Sequence, residues 1–282
     1  MAAIVGSLVT STSIPIALLL GLLQGLTEFL PVSSSGHLVI AQALLQTPRS
    51  GVALEVLLHG GTLLAVLAFY GRDWLQILRA AAGGVRAIPA EGMRALARGR
   101  ELWLLMLASL PAGLAGVLLR ETVEGAFEVP TVAAGCLIGT GLLLLGTRWA
   151  PLHPGAIGAR AALSIGLMQA LSLLPGISRS GATIAGGLYL RCDRARVVRF
   201  SFLLSVPAIL GSLVLELPAL AAGLRDGLWG VYGAGFLAAF LSGLVAIRLL
   251  VWMVTLGRFH LFGFYCLAAG VVSWVLLAGG TR

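Results

Sequence analysis

The sequence predicts an all-α integral membrane protein with six transmembrane helices and two re-entrant helical hairpins arranged as an inverted-topology repeat. Three observations predict it. Of the 282 residues, 59% are hydrophobic and only 11% charged, and the mean hydropathy is +1.00, far outside the composition of soluble domains. Six apolar runs reach the length, about 20 helical residues, that crosses a bilayer. Two polar motifs, "GLLQGLTEFLPVSSSG" and "GLMQALSLLPGISRSG", interrupt shorter apolar stretches and align at a spacing of 145 positions, with Gly21, Gln24 and Gly36 matching Gly166, Gln169 and Gly181.

The elements follow in order. No basic region precedes the apolar stretch from Ile14, so it reads as retained rather than as a cleaved signal. Residues 14–47 form the first hairpin: Gln24 and Glu28 interrupt its first limb, "PVSSSG" breaks it, and the limb from Gly36 to Gln46 reaches only about 16 Å. A span over 51–70 leads to a loop over 71–100 with six arginines against Asp73 and Glu91, which the positive-inside rule places in the cytoplasm. After a span over 101–119, "RETVEGAFE" carries one arginine and three glutamates, as expected of the opposite side. A span over 130–148 returns to a cytoplasmic loop with Arg148 and Arg160. Residues 161–190 form the second hairpin, broken at "PGISRSG" and entering from the cytoplasm. Spans over 200–217, 229–252 and 260–278 complete the chain. Both termini and the first hairpin then face outward.

Residues 1–148 and 149–282 are thus two repeats of one membrane domain, each a hairpin plus three spans. An odd number of spans forces the halves into opposite orientation, and broken helices in such repeats face one another at a polar site. All 19 basic residues are arginine, and the formal net charge is +8. Because the arginines concentrate between apolar runs, they read as orientation and headgroup contacts rather than a nucleic-acid surface. Cys136, Cys192 and Cys266 lack metal-ligand spacing and suggest no disulfide framework. His153 and His260, in or beside loops, are assigned no chemistry.

Irregular backbone at membrane depth is tolerated only where protein or a wet cavity surrounds it. An arginine there, Arg179, costs about 2.5–3.5 kcal/mol on insertion scales and calls for a partner. An anion is the simplest partner, and two glycine-serine loops beside a guanidinium suit phosphate. The alternative is that Arg179 ties the hairpins together through carbonyls. The amides of Ser33 to Gly36 and Ser178 to Gly181 precede helical limbs, whose N-termini also favour an anion. Gln24 and Glu28 share one helix face, directed to where Ser34 and His37 emerge. Ser34 is the candidate nucleophile, with His37 or Glu28 as its base. Ser33 and Ser35 are expected to cap the following limb, starting near Gly36. Glu55 and His59 form a further pair one turn apart, expected to bond across helices behind the site.

Together "QGLTEFLPVSSSGH" and "PGISRSGAT" resemble the undecaprenyl-pyrophosphate phosphatase family of bacteria, the bacitracin-resistance type, and the likeness covers essentially the whole chain. The resemblance implies removal of the terminal phosphate from an isoprenyl pyrophosphate carrier, regenerating the monophosphate for cell-wall polymers. The family's acidic motif falls on Gln24 and Glu28, its nucleophile on Ser34, its histidine on His37 and its phosphate-binding arginine on Arg179, with Ser178, Ser180 and Thr183 beside it. The resemblance also implies a divalent cation, Mg²⁺ or Ca²⁺, held by the acidic positions, a bacterial plasma membrane location and a site opening to the outer face. Some members have Glu where this chain has Gln24, which removes one charge from such a metal site. The expected partners are the isoprenyl pyrophosphate lipid and membrane lipids, with no nucleic acid and with homodimer formation left open. The rival reading is a transporter or flippase of a phosphorylated lipid or anion, which shares the inverted repeat but does not require Ser, His and Glu on one hairpin. A Ser-His intramembrane protease is a weaker rival, because it leaves Arg179 unexplained.

Overall fold

Every named element of the computed structural model is helical, and residues 13–45, 52–150, 154–223 and 227–279 are described. The expected end of the first hairpin at residue 47, His153 and both termini lie outside the described residues. In chain order the helices are α1 (Ile14–Phe29), α2 (Ser34–Leu45), α3 (Val52–Glu91), α4 (Arg100–Leu118), α5 (Arg120–Phe127), α6 (Pro130–Gly146), α7 (Ala159–Leu171), α8 (Arg179–Tyr189), α9 (Arg194–Gly223), α10 (Trp229–Thr255) and α11 (Leu261–Gly279).

Five helical stretches are long and apolar enough to cross a membrane. The first, Ala53–Leu118, contains both the 51–70 and 101–119 runs. The others follow Pro130–Trp149, Arg194–Pro218, Trp229–Thr255 and Leu261–Gly279. Their outward faces carry Val117, Leu118 and Leu215, each more than three-quarters exposed. Apolar side chains exposed in this number belong against lipid. The chain is a multi-pass, all-α membrane protein.

The interval expected as a cytoplasmic loop, 71–100, is helical instead. α3 kinks at Tyr70 (φ −109°, ψ 17°) and continues to Glu91, where a 3-10 segment, Gly92–Gly99, joins α4. The cause is a buried face: Ile77 and Ala81, one turn apart, are buried while Arg72, Arg79 and Arg86 point outward. Ala81 packs against Gly99 so closely that a Cβ on Gly99 would lie 2.9 Å from the Ala81 Cα. Charge content alone had suggested a loop, but the periodicity beneath it supports a helix. "RETVEGAFE" is likewise mostly helical, as α5, with Arg120 and Glu124 paired one turn apart at 2.7 Å.

α1, α2, α7 and α8 are short, at 16, 12, 13 and 11 residues. α1 ends at Phe29 because Pro31 holds Leu30 in an extended conformation (φ −64°, ψ 144°), as a residue before proline prefers. α2 begins at Ser34, two residues earlier than the sequence suggests. Ser33, in the left-handed region at φ 63°, accepts the Gly36 amide on its Oγ at 3.3 Å. α8 begins in the same way after "PG": Ser178 accepts the Gly181 amide at 3.1 Å.

Two of the short limbs pack chiefly on a span of the other half, α1 on α10 and α7 on α4, while α6 packs on α11. Contact is backbone to backbone at the small residues. A Cβ on Gly21 would sit 2.2 Å from the Gly235 carbonyl oxygen, and one on Gly166 would sit 2.3 Å from that of Ala108. Gly141 and Gly263 approach reciprocally across α6 and α11, at 3.0 and 2.7 Å from each other's carbonyl oxygen. In lipid, where apolar surface supplies little drive for helix association, such close packing of small residues holds helices together.

Candidate active site

The two breaker loops meet. Gly36 at the start of α2 faces Gly176, and a Cβ on Gly36 would lie 2.6 Å from the Gly176 Cα. Gly176 itself has φ +96° and lies against α6, where a Cβ would be 2.1 Å from the Ala133 carbonyl oxygen, so only glycine fits there. The exposed loop backbone is satisfied by one side chain of α6: buried Thr140 donates to the Gly176 carbonyl at 2.8 Å and accepts the Ser178 amide at 3.1 Å. Irregular backbone surrounded by protein in this way is what the apolar setting requires.

Glu28, on the last turn of α1, is the centre of the cluster. Its Oε1 accepts from the Arg179 guanidinium at 2.5 Å, and its Oε2 accepts from Gln24 Nε2 at 3.0 Å and Ser34 Oγ at 3.4 Å. His59 Nε2, from α3, stands 3.9 Å from the same Oε2. Arg179 also donates to the Ser205 carbonyl of α9 at 3.3 Å. The side chains of Glu28 and Arg179 are 10% and 17% exposed, so their ion pair is shielded from solvent. Arg179 thus joins the two motifs through the carboxylate beside Ser34, while its carbonyl contact lies within its own half.

Ser34 and Arg179 hold the same position in the two motifs, 145 residues apart, each the first residue of its helix. A cavity of about 310 Å³ is lined by Glu28, Ser33, Ser34, Ser35, Ser178 and Arg179, and it extends past His59 toward apolar Ala112, Phe127 and Ile209. Ser33 and Ser178 use their hydroxyls as caps, and each lies near the next serine but one: Ser33 to Ser35 at 3.4 Å and Ser178 to Ser180 at 3.2 Å. The Gly36 and Gly181 amides are consumed by those caps. The amides of Ser34, Ser35, Arg179 and Ser180 are the first-turn groups that helix geometry leaves without intrahelical partners.

Three candidates are engaged away from the carboxylate. His37 Nδ1 lies 2.9 Å from the Ser33 carbonyl oxygen and Nε2 lies 2.9 Å from Tyr265 Oη, with the two rings stacked at 5.6 Å. A carbonyl can only accept, so in the neutral imidazole Nδ1 carries the proton and Nε2 accepts from the tyrosine. Of the two bases weighed for Ser34, the structure places Glu28 within reach and turns His37 to Tyr265. Thr183 is buried, donates to the Arg179 carbonyl at 2.8 Å and meets Ser201 Oγ at 2.6 Å, bracing the start of α8. Glu55 supplies its carbonyl to His59 Nδ1 at 2.9 Å, orienting the ring toward Glu28. Tyr265 was not singled out from the sequence. It lies in an apolar run 228 positions from its partner, and no local signal marks it.

Among the described residues no group of three or more His, Cys, Asp or Glu side chains could hold a metal ion. Glu28 with the Gln24 carboxamide and the Ser34 hydroxyl is an oxygen-rich set that fits a hard cation only when phosphate oxygens complete it, as is common for Mg²⁺.

Over residues 17–272 the chain matches the family described as bacitracin resistance protein BacA. It is similar to the undecaprenyl-diphosphatase of Korarchaeum cryptofilum (strain OPF8), with 39% identity over 265 residues, 93% of this chain and 98% of that protein. It is also similar to that of Salinibacter ruber (strain DSM 13855 / M31), with 42% identity over 271 residues, 92% of this chain and 98% of the relative. The undecaprenyl-diphosphatase 2 of Frankia casuarinae is 40% identical over 276 residues, 93% of this chain and 94% of its own.

Proposed function

The chain belongs to the BacA bacitracin-resistance family, and we propose that the Glu28 cluster is where it hydrolyses undecaprenyl diphosphate to undecaprenyl phosphate and inorganic phosphate, recycling the lipid carrier of cell-wall synthesis. One observation carries the placement: a serine hydroxyl and a guanidinium from equivalent positions of the two motifs converge on one carboxylate in one cavity.

The diphosphate enters beside Arg179 and displaces Glu28 from it. Glu28 is then free to take the Ser34 proton as Ser34 Oγ bonds to the terminal phosphorus. The bond from that phosphorus to the bridging oxygen breaks, its electron pair goes to that oxygen, Glu28 hands the Ser34 proton to it, and undecaprenyl phosphate departs with the carboxylate restored. Water then releases inorganic phosphate from Ser34. Arg179 and the first-turn amides of α2 and α8 neutralise charge spread over the phosphoryl oxygens. Glu28 and Gln24, with diphosphate oxygens, would hold a divalent cation, which would supply further charge neutralisation. His59 adds a polar wall, and His37 with Tyr265 secures the first turn of α2. Ala112, Phe127 and Ile209 give the lipid tail an apolar way out of the cavity.

The two halves form an inverted repeat of a re-entrant hairpin and three spans each. The matched caps and the reciprocal approach of Gly141 and Gly263 support that reading. On the arginine asymmetry the cavity opens outward from the plasma membrane, with both termini on the outer side. A membrane-impermeant label is expected to reach cysteines placed at either terminus in intact cells, and protection of both termini would reverse the orientation. Protein purified in detergent is expected to release inorganic phosphate from undecaprenyl diphosphate. Lipid or anion flux in vesicles without phosphate release would instead favour a carrier.

A further inference from the structure

We infer that Gln169 belongs to the reaction, its carboxamide oxygen holding and orienting the water that hydrolysis consumes. The inference rests on the diphosphatase reading above and deepens it. Gln169, on α7, is 4% exposed, and its Oε1 is enclosed without a hydrogen-bond partner among the described residues. An enclosed acceptor that meets no donor is unfavourable and asks for an explanation. Gln24, at the equivalent position of the first motif, is only half-buried, and its Nε2 donates to Glu28. Gln169 has no such neighbour on its own helix, because the position equivalent to Glu28 is Leu173. The nearby Ser172 hydroxyl is spent on the Gln169 backbone carbonyl, at 2.7 Å. Gln169 nonetheless lines the cavity that holds Glu28, Ser34 and Arg179.

The chemistry of that cavity decides what Oε1 can meet. The guanidinium, the hydroxyls and the first-turn amides are donors and suit the phosphate oxygens. An ionised diphosphate brings only acceptors, so it has nothing to give Oε1. Water brings two O–H donors. With one held by Gln169 and the other directed to Glu28, its lone pair is aimed at phosphorus, the role a glutamine performs in some phosphoryl-transfer sites. The water oxygen bonds to phosphorus, and the bond from phosphorus to Ser34 Oγ breaks with its electron pair going to Oγ. One water proton passes through Glu28 to that Oγ, and the other stays on the released phosphate.

Gln169→Met keeps the length and packing of the side chain but removes the acceptor. In detergent-purified protein its unfolding temperature is expected to equal or exceed the wild-type value, since an enclosed acceptor without a partner is gone. The kcat, and the rate at which oxygen from labelled water enters inorganic phosphate, are expected to fall together by roughly a hundredfold, with KM falling alongside because the water step follows departure of undecaprenyl phosphate. Gln169→Glu, which keeps an acceptor oxygen, is expected to retain more turnover than the methionine variant. A lowered unfolding temperature in Gln169→Met would assign Gln169 to packing, and unchanged turnover would remove it from the reaction. A raised KM with kcat kept would make it a substrate contact, and a shifted divalent-cation requirement would make it a metal ligand; each overturns the water assignment, as does equal loss in both variants. Wild-type protein releasing no phosphate from undecaprenyl diphosphate would remove the diphosphatase reading itself, a result distinct from all of these.

Discussion

Ser34→Ala protein is expected to fold as stably as wild type and to release phosphate from undecaprenyl diphosphate at least roughly a thousandfold more slowly, as loss of a nucleophile does. Stability is spared because Ser34 is not the cap of α2; Ser33 is, through the Gly36 amide. The Ser34 hydroxyl makes one long contact, 3.4 Å to Glu28, so its removal leaves no enclosed group stranded. Ser33→Ala is expected to do the reverse. It removes the cap, lowers stability by about 1 kcal/mol, and keeps most of the turnover. Rates of phosphate release and unfolding temperatures of the two variants, measured side by side, separate the chemical serine from the structural one. Near-normal turnover in Ser34→Ala would end its role as nucleophile and leave direct attack by water on the diphosphate.

The division of labour among the serines shows how much of the site could be read in the chain and where reading stopped. The six apolar runs, the broken helices and the 145-residue spacing are one-dimensional patterns, and each of the runs falls mostly in a helix over its described residues. The spacing also put Ser34 and Arg179 at the same position of two motifs, although it could not say that both would reach one carboxylate. The interval 71–100 was misjudged because arginine content was weighed above the period of Ile77 and Ala81, and burial follows the period. His37 was given the company of its sequence neighbours, yet its ring is claimed by Tyr265 from the last helix. Contacts between residues so distant in the chain depend on how α2 and α11 are packed, which local composition does not encode. Ser33 illustrates a third kind of limit. Its left-handed backbone distinguishes it from Ser178, which is extended at φ −71° and ψ 124°, though the two motifs align there residue for residue. The repeat therefore specifies matched caps without specifying matched backbones, and only the first half carries the carboxylate and the serine proposed for chemistry.

Separating Arg179 from Glu28 is expected to have opposite effects on binding and turnover, depending on which partner is removed. The carboxylate is paired with the guanidinium proposed to receive the diphosphate. Glu28→Gln removes that competitor, and with divalent cation chelated the diphosphate is expected to bind roughly tenfold more tightly, the 1.4 kcal/mol scale of one charge-assisted hydrogen bond. The same change removes the base that contacts Ser34, so kcat is expected to fall by about 10²–10⁴. Arg179→Ala acts in the other direction on the substrate, because the first-turn amides then neutralise the phosphoryl oxygens without the guanidinium, and kcat/KM is expected to drop by about 10²–10³. It also leaves the Glu28 charge shielded from solvent without its cation, a loss of about 3–5 kcal/mol in stability. Arg179→Lys is expected to recover the charge and only part of the rate, since an ammonium lacks the planar fork that now reaches both Glu28 and the Ser205 carbonyl. The double variant Glu28→Gln, Arg179→Ala closes the cycle: no charge is left unpaired, so its unfolding temperature is expected to rise above that of Arg179→Ala, while phosphate release stays lost. Additive losses of stability across the cycle would show that the pair is not coupled. A KM that rises in Glu28→Gln would show that the carboxylate recruits the substrate, through a cation, rather than competing with it for Arg179.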